Sequence, residues 1–306
     1  MKTPIICIPG PTGIGKTKLI SQLTTSHNDK FEVISVDSVA IYRHMDVGSA
    51  KPSIDEQHDV PYHLINIRNP DQTYSAAEFC TDSKTAIEDI QSRDKVPILT
   101  GGTMLYFSSL LNGIANIPPI KPESRLQARS YLSNGVLCAH TALTQVDPSL
   151  AQRISKHDSQ RITRGLEVFF STGIPLSAWQ TSTDKSPGLS AHVLRWMPSD
   201  RSYLHRSIES RFRSMLDSGF EDEVRNLIKA YPHLDSSYPS MRSIGYREML
   251  DFIHGDIDYE TMVHKSIVAT RRYVKRQLTW LRNWSSSSDV FYDVNSLALY
   301  ISRLLS

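Results

Sequence analysis

Cysteine is scarce in this sequence, and long apolar runs are absent. The chain of 306 residues has three cysteines, Cys7, Cys80 and Cys138, which lie far apart and form no C-x-x-C or Cys/His pattern. This spacing argues against a disulfide framework and against a zinc site. No run of roughly 18 apolar residues occurs, and no charged leader precedes the first apolar segment. We therefore expect a cytoplasmic protein with no membrane partner.

A large excess of charge of one sign is also missing. The chain has 34 basic and 32 acidic residues, with a net charge of +2. Any surface that binds a polyanion must therefore come from local clustering of charge. The length suits about two domains of roughly 150 residues each. Because no long exposed apolar segment requires a partner, a monomer is the default expectation.

A glycine-rich segment at residues 10–17 has the spacing G-x-x-x-x-G-K-T. A strand-like apolar run precedes it and a helical pattern follows, which is the context of a phosphate-binding loop. In such a loop, backbone N–H groups and the positive end of the helix point at one anion. We expect Lys16 to reach the terminal phosphate and the Thr17 hydroxyl to bind Mg²⁺. The predicted phosphate-binding residues are Gly10, Pro11, Thr12, Gly13, Ile14, Gly15, Lys16 and Thr17.

Short apolar runs alternate with helical patterns in the first part of the chain, which is typical of an α/β fold. A proline-rich stretch at 116–122 ends this alternation, and helical spacing follows. The sequence predicts a P-loop NTPase-like α/β core, with a parallel sheet flanked by helices, plus an inserted all-helical domain. The predicted boundaries are 1–117 for the first part of the core, 118–188 for the insertion and 189–306 for the rest of the core with basic C-terminal helices.

Asp37 is the acidic residue that ends a predicted strand, whereas the predicted strand in the segment 95–103 ends in Gly101, Gly102 and Thr103. A hydrolase of ATP or GTP needs an aspartate for its metal and a residue that positions water. Strand ends of a parallel sheet meet at one edge, so Asp37 should lie near the phosphate loop, where it suits a base acting on a second substrate. Alternatively, Asp37 caps the next helix or binds Mg²⁺ through water.

Several blocks together resemble the tRNA dimethylallyltransferase (tRNA isopentenyltransferase) family. They lie in the family's order at 10–17, 34–52, 74–79, 97–107, 160–177, 207–224, 243–249 and 269–284. The chain lacks the Cys/His-rich extension of many eukaryotic relatives, so a bacterial type is expected. Two positions depart from the family pattern: Ala40, where Gln or Leu is common, and Ser108, where a basic residue is common. The smaller residue at 40 leaves room beside the target base, and the missing charge at 108 would weaken binding of RNA or diphosphate.

The resemblance implies a prenyl transfer that consumes no nucleoside triphosphate. Dimethylallyl diphosphate gives its prenyl group to the exocyclic amine of the adenosine immediately 3′ of the anticodon, and diphosphate leaves. The implied partners are this substrate and the tRNA anticodon stem-loop, and the implied cofactor is Mg²⁺. The implied catalytic residues are Asp37, which accepts the proton of the amine, Lys16 and Arg211, which bind the diphosphate, and Thr103, which contacts the target nucleotide. Without the resemblance, Arg211 would be interpreted as an ordinary exposed arginine on a helix, and Thr103 as a helix N-cap.

The resemblance also implies a set of RNA contacts. They are Asp37, Ser38, Val39, Ala40, Thr103, Arg125, Gln160, Arg161, Ile162, Thr163, Arg164, Arg242, Ser243, Ile244, Gly245, Tyr246, Arg247, Lys275, Arg276, Gln277, Leu278, Thr279, Trp280, Leu281 and Arg282. The segment 264–282 supports this, because it has six Lys or Arg residues and no acidic one, although a solvated basic helix would show the same charges.

Two other functions remain open from the motifs alone. A small-molecule or nucleotide kinase would use Asp37 to bind an acceptor hydroxyl and Arg161 with Arg164 as a lid over ATP. Such a kinase has no need of an acid-free cationic helix. A non-enzymatic RNA-binding module is a third class, but it leaves the phosphate loop and Asp37 unexplained.

Overall fold

The computed structural model describes residues 3–182 and 186–306. The chain divides into two compact units. The first unit joins the chain up to Leu111 with Ser190–Ser306, and the second unit is Asn112–Leu189. In the described residues, no helix combines the length and the apolar character needed to cross a bilayer.

The first unit is built on one parallel sheet. In the described part of the chain its six strands are β1 (Ile6–Pro9), β2 (Phe31–Val36), β3 (Tyr62–His63), β4 (Val96–Gly101), β5 (His192–Trp196) and β6 (Asp289–Phe291). Their spatial order is β3-β2-β4-β1-β5-β6, and every pair is parallel. This confirms the predicted parallel sheet of a P-loop NTPase-like core.

Helices make up most of the remaining chain. They are α1 (Lys16–His27), α2 (Ile54–Asp59), α3 (Ala76–Ser92), α4 (Met104–Asn112), α5 (Pro122–Ser133), α6 (Val136–Val146), α7 (Pro148–Arg153), α8 (Ser159–Thr172), α9 (Leu176–Thr181), α10 (Arg201–Asp217), α11 (Phe220–Ala230), α12 (Tyr246–Ile253), α13 (Tyr259–Arg282) and α14 (Val294–Leu305). Helices α5 to α9 belong to the second unit, whose described residues contain no strand.

The register of the central strands sets the position of the site. Every residue of β1, β2 and β4 is buried, as expected for strands of a parallel sheet covered on both faces. Pro9 pairs with Gly101, and Val36 pairs with Gly101 on the other side. The carboxyl ends of the three strands therefore meet at one edge, where the phosphate loop, Asp37 and Thr103 follow directly.

Apolar clusters among the described residues stabilise both units. One covers the sheet and includes Ile8 from β1, Leu278 from α13 and Ile301 from α14. A second joins α10 to α13 around residues such as Phe220 and Tyr246. The second unit has its own core of Ala128, Ala139, Leu143, Leu150, Ala151, Ile162, Leu166, Val168 and Leu176. Each unit thus buries enough apolar surface to stabilise its own fold.

Candidate active site

The phosphate loop runs from the end of β1 to the start of α1. Gly13 has a φ of +82° and Gly15 a φ of +107°, a conformation that favours glycine at both positions. The ammonium of Lys16, the first residue of α1, donates to the carbonyl oxygens of Gly10 at 2.9 Å and Pro11 at 2.8 Å. Lys16 therefore lies across the loop, where a bound anion would meet its charge.

A cavity of about 360 Å³ opens beside this loop. It brings together four of the predicted catalytic and metal-binding residues, namely Lys16, Thr17, Asp37 and Arg211. Burial, together with the nearby Arg211 guanidinium, lowers the pKa of Lys16 to about 7, and Asp37 opposes this shift. Burial also lowers the pKa of Arg211. Two cations and one carboxylate thus share a partly desolvated site, which favours a multiply charged anion.

Arg211 reaches the cavity because α10 is fixed to the phosphate loop. Ser207, one helical turn before Arg211, donates its hydroxyl to the carbonyl oxygen of Gly13 at 3.0 Å. Nη2 of Arg211 donates to the carbonyl oxygen of Ser49 at 3.4 Å. The guanidinium is half-buried and lines the cavity, so the alternative of an ordinary exposed helical arginine is wrong.

Asp37 and Thr103 are held together at the sheet edge. Oδ1 of Asp37 accepts from the backbone N–H groups of Val39 at 2.8 Å and Ala40 at 3.3 Å, so this oxygen caps a local turn. Thr103 immediately precedes α4, and its hydroxyl accepts from the N–H of Ser38 at 3.1 Å. Oδ1 of Asp37 thus orients the carboxylate, which lines the cavity.

Gln277, one of the residues predicted to contact tRNA, is buried, with 1% of its surface exposed. Oε1 accepts from the N–H of Thr12 at 3.0 Å, and Nε2 donates to the carbonyl oxygen of Gly102 at 2.8 Å. Gln277 therefore ties α13 to the phosphate loop and to the end of β4. Sequence reasoning missed this role because the contact to Thr12 spans 265 positions.

Four further side chains predicted to contact tRNA are also buried in the structure. They are Ile162, Tyr246, Leu278 and Leu281, each within an apolar cluster. In the structure these side chains pack inside the first and second units, where they stabilise α8, α12 and α13. Gly245 is buried as well, with a φ of +90°, and permits the turn that leads into α12.

Lys275, Arg276 and Arg282 of α13 face solvent, whereas Arg271 is partly buried and pairs with Glu209 at 3.2 Å. Thr279 and Trp280 are exposed as well, and Gln277 and Leu278 are buried. The guanidinium of Arg276 lies 5.6 Å from the ring centroid of Tyr273. The hydroxyl of Tyr273 donates to the carbonyl oxygen of Gly102 at 3.2 Å, and burial raises the pKa of that hydroxyl to about 12. One helix thus has a polar and apolar inner face and a cationic outer face.

The other predicted RNA contacts fall in two groups. In the first unit, Arg242 and Arg247 are exposed on either side of Gly245, and Arg247 pairs with Glu248. Ser38, Val39, Ser243 and Ile244 are partly exposed, and Ala40 is buried but lines the cavity. In the second unit, the exposed residues are Arg125 on α5 and Gln160, Arg161 and Arg164 on α8, with Thr163 partly exposed between them.

A divalent metal at this cavity would need water or substrate oxygens in addition to the protein's own donors. Among the described residues, no group of three or more His, Cys, Asp or Glu side chains could hold a metal ion. The cavity does offer hard oxygen donors in the Thr17 hydroxyl and the Asp37 carboxylate. Mg²⁺ commonly binds through one or two protein oxygens together with water and substrate phosphates, so the donors present fit this ion.

Comparison with known proteins gives a consistent result. The family model described as IPP transferase matches residues 40–284. The chain is 44% identical to a tRNA dimethylallyltransferase of Legionella pneumophila (strain Lens), over 96% of this chain and 92% of that protein. The crystal structure of the tRNA isopentenylpyrophosphate transferase of Bacillus halodurans is similar with a TM-score of 0.67 and 30% identity, covering 99% of this chain and 97% of that one. A eukaryotic dimethylallyltransferase described as acting on tRNA is similar with a TM-score of 0.75 and 26% identity, over 92% of this chain and 70% of that one.

Proposed function

The chain belongs to the IPP transferase family, and from this membership we propose how its residues transfer a dimethylallyl group to tRNA. It is a transferase that prenylates tRNA. The acceptor is the exocyclic amine of the adenosine immediately 3′ of the anticodon, and the donor is dimethylallyl diphosphate. The observation that carries the proposal is the single cavity shared by Lys16, Arg211 and Asp37. It places two cations suited to a leaving diphosphate beside a carboxylate suited to an amine.

The phosphate loop is proposed to stabilise the leaving group. The bond between C1 of the prenyl group and the diphosphate oxygen breaks, and its electron pair leaves with the diphosphate. Lys16 and Arg211 offset the negative charge that develops there. A fixed cation about 4 Å from a unit negative charge stabilises it by about 4 kcal/mol at an effective dielectric near 20. The planar guanidinium of Arg211 can also donate to two phosphate oxygens at once.

Mg²⁺ is the proposed cofactor, with the Thr17 hydroxyl as its protein ligand. When bound, the ion would neutralise part of the charge on the diphosphate oxygens. Thr17 is exposed at the first turn of α1 and lines the cavity, so its hydroxyl is accessible to an ion that the substrate brings with it.

Asp37 is the proposed proton acceptor. The lone pair of an aromatic amine is delocalised into the ring, so the amine is a weak nucleophile. As its nitrogen forms the bond to C1, it must lose a proton, and Asp37 lies at the cavity to accept it. The hydrogen bonds that Oδ1 accepts from Val39 and Ala40 fix the carboxylate before the substrate arrives. Thr103, whose hydroxyl accepts from the N–H of the neighbouring Ser38, is the proposed contact for the nucleotide.

Binding of tRNA is assigned to the exposed cationic side chains. On the first unit these are Arg242, Arg247, Lys275, Arg276 and Arg282, and on the second unit Arg125, Arg161 and Arg164. Phosphate contacts of this kind position a nucleic acid, and the target base must then be extruded from its stack to reach the cavity. A monomer is proposed as the active form, because each proposed catalytic residue belongs to one chain.

The kinase alternative is not favoured, because the relatives that cover nearly the whole chain are tRNA prenyltransferases. A direct experiment separates the two functions. Unmodified tRNA with adenosine beside the anticodon is incubated with the protein, Mg²⁺ and dimethylallyl diphosphate, without ATP, then digested and examined by mass spectrometry. A gain of one C5H8 unit at that adenosine supports the proposal. No gain with folded protein and competent tRNA would contradict it.

A further inference from the structure

The carboxylate of Glu223, on α11, accepts four hydrogen bonds that no step of the proposed reaction uses. Oε2 accepts from the backbone N–H groups of Asp46 at 2.7 Å and Val47 at 2.6 Å. Oε1 accepts from the N–H of Gly48 at 3.1 Å and from the hydroxyl of Tyr246 at 2.7 Å. Successive backbone N–H groups that converge on one anion form a strong site for negative charge. Glu223 occupies that site and thereby fixes the loop at residues 46–48.

Gly48 shows how closely this loop lies against the helices behind it. A Cβ atom at position 48 would lie 2.1 Å from a ring carbon of Phe220 and 2.7 Å from Cζ of Tyr246. A side chain at this position is therefore excluded by two buried rings. The loop is thus held by the carboxylate at its N–H groups and by aromatic packing at its Cα atom, which leaves it little freedom to shift.

The residues that follow the loop form part of the cavity. Ser49, Ala50, Lys51 and Pro52 line it next to the phosphate loop. The carbonyl oxygen of Ser49 is also the acceptor for Nη2 of Arg211. A shift of the loop would therefore move one wall of the cavity and remove the hydrogen bond that orients the guanidinium.

We propose that Glu223 is a positioning residue for diphosphate binding. By holding the N–H groups of residues 46–48, it sets the wall at 49–52 and the orientation of Arg211. The proposal rests on the proposed function for the identity of the anion. Glu223 itself does not line the cavity, so its effect passes through the loop and Arg211. It should change the affinity for diphosphate and leave the affinity for tRNA unchanged.

The test uses inorganic pyrophosphate with Mg²⁺ as the probe, measured by calorimetry on the full chain. Glu223→Ala should weaken pyrophosphate binding about tenfold or more, the loss expected from removing charge-assisted hydrogen bonds. Glu223→Gln should give an intermediate loss: its amide oxygen can still accept from Asp46 and Val47 and its amide group can donate to the Tyr246 hydroxyl, but the N–H of Gly48 loses its acceptor. Glu221→Gln is the matched control, since Glu221 lies on the same helix and pairs with Arg225 at 2.7 Å.

A double-mutant cycle with Arg211→Ala then tests the route of the effect. In the Arg211→Ala background, Glu223→Ala should cause little further loss of pyrophosphate affinity. Fully additive losses would overturn the proposal, as would wild-type pyrophosphate affinity in Glu223→Ala. A fall in tRNA affinity equal to the fall in pyrophosphate affinity would also overturn it, since it would indicate general disruption.

If Glu223→Ala does not fold, Glu223→Gln decides alone, and unchanged pyrophosphate affinity in that variant would contradict the proposal. Prenyl transfer by the wild-type protein is scored separately, and its absence would refute the proposed function instead.

Discussion

Lys16 combines two properties that bear on its role in the cavity. Its ammonium donates to two carbonyl oxygens of the phosphate loop, and its pKa is lowered to about 7 by burial and by Arg211. The ligand-free protein therefore loses the Lys16 charge as the pH rises through about 7. A bound diphosphate favours the charged form and raises the pKa, so anion binding and protonation are linked.

This linkage predicts the pH dependence of pyrophosphate binding. Above pH 7, binding should take up a proton at Lys16, and affinity should fall by up to about tenfold per pH unit relative to a permanently charged residue. Calorimetry in buffers of different ionisation enthalpy measures the proton uptake. Lys16→Arg is the matched variant, because the arginine side chain stays charged over this pH range. The ionisation of pyrophosphate itself affects both proteins equally, so it cancels in the comparison. Identical pH profiles for the two proteins would contradict the linkage.

Asp37 should contribute to chemistry more than to binding. Asp37→Asn keeps an oxygen that can cap the turn at Val39 and Ala40 but removes the proton acceptor. We expect its rate of prenyl transfer to fall by about 10²-fold or more, the size typical of a general base, with tRNA affinity nearly unchanged. Single-turnover kinetics and a tRNA binding assay measure the two quantities. Equal losses in rate and in affinity would mean that Asp37 only binds tRNA.

Helix α13 bears on both diphosphate binding and tRNA binding in the proposed function, through different faces. Its inner face places Gln277 against Thr12 and Gly102, and its outer face presents Lys275, Arg276 and Arg282 to solvent. The residue that anchors the phosphate loop, Gln277, thus directly follows the exposed cations Lys275 and Arg276 in the sequence. Periodicity in the sequence could predict the two faces, but it could not distinguish a buried glutamine that binds a loop from one that binds RNA.

The outer face of α13 gives a salt-dependent prediction. Arg276→Ala should weaken tRNA binding at low salt and flatten the slope of log affinity against log salt by about one unit, the effect of one lost phosphate contact. Filter binding at several salt concentrations measures this slope. Arg225→Ala serves as the control, because Arg225 is exposed but pairs with Glu221 on α11. An unaltered slope for Arg276→Ala would contradict the proposed phosphate contact and would mean that Arg276 is only solvated.

The molecule as a whole shows which features local sequence determines. The phosphate loop, the strand ends at Asp37 and Gly101 and the cationic helix are contiguous patterns, and they predict the sheet edge correctly because parallel strands end together. The contacts of Gln277 with Thr12 and of Glu223 with Asp46 join residues 265 and 177 positions apart. Such contacts depend on how helices pack on the sheet, which no local pattern specifies. The sequence thus predicts the residues at the cavity better than the residues that support it.

The net charge of the chain illustrates the same distinction. A value of +2 gives no indication of RNA binding, yet the C-terminal part of α13 exposes Lys275, Arg276 and Arg282 to solvent. Salt screens charge over roughly 8 Å at physiological ionic strength, so the local arrangement of charges matters more than their sum. The net charge averages over the whole chain, whereas the fold brings several basic side chains of α13 to the surface.

The central claim is that the phosphate loop binds the diphosphate leaving group of dimethylallyl diphosphate, and does not bind ATP for phosphoryl transfer. Its most direct test measures the stoichiometry of released pyrophosphate against prenyl groups gained by tRNA, with Mg²⁺ and dimethylallyl diphosphate present and ATP absent. The account predicts one pyrophosphate per prenyl group, a sharp loss of both in Lys16→Ala, and no release without tRNA. Release of ADP from added ATP in step with phosphorylation of an acceptor, with no prenyl gain in tRNA, would contradict it.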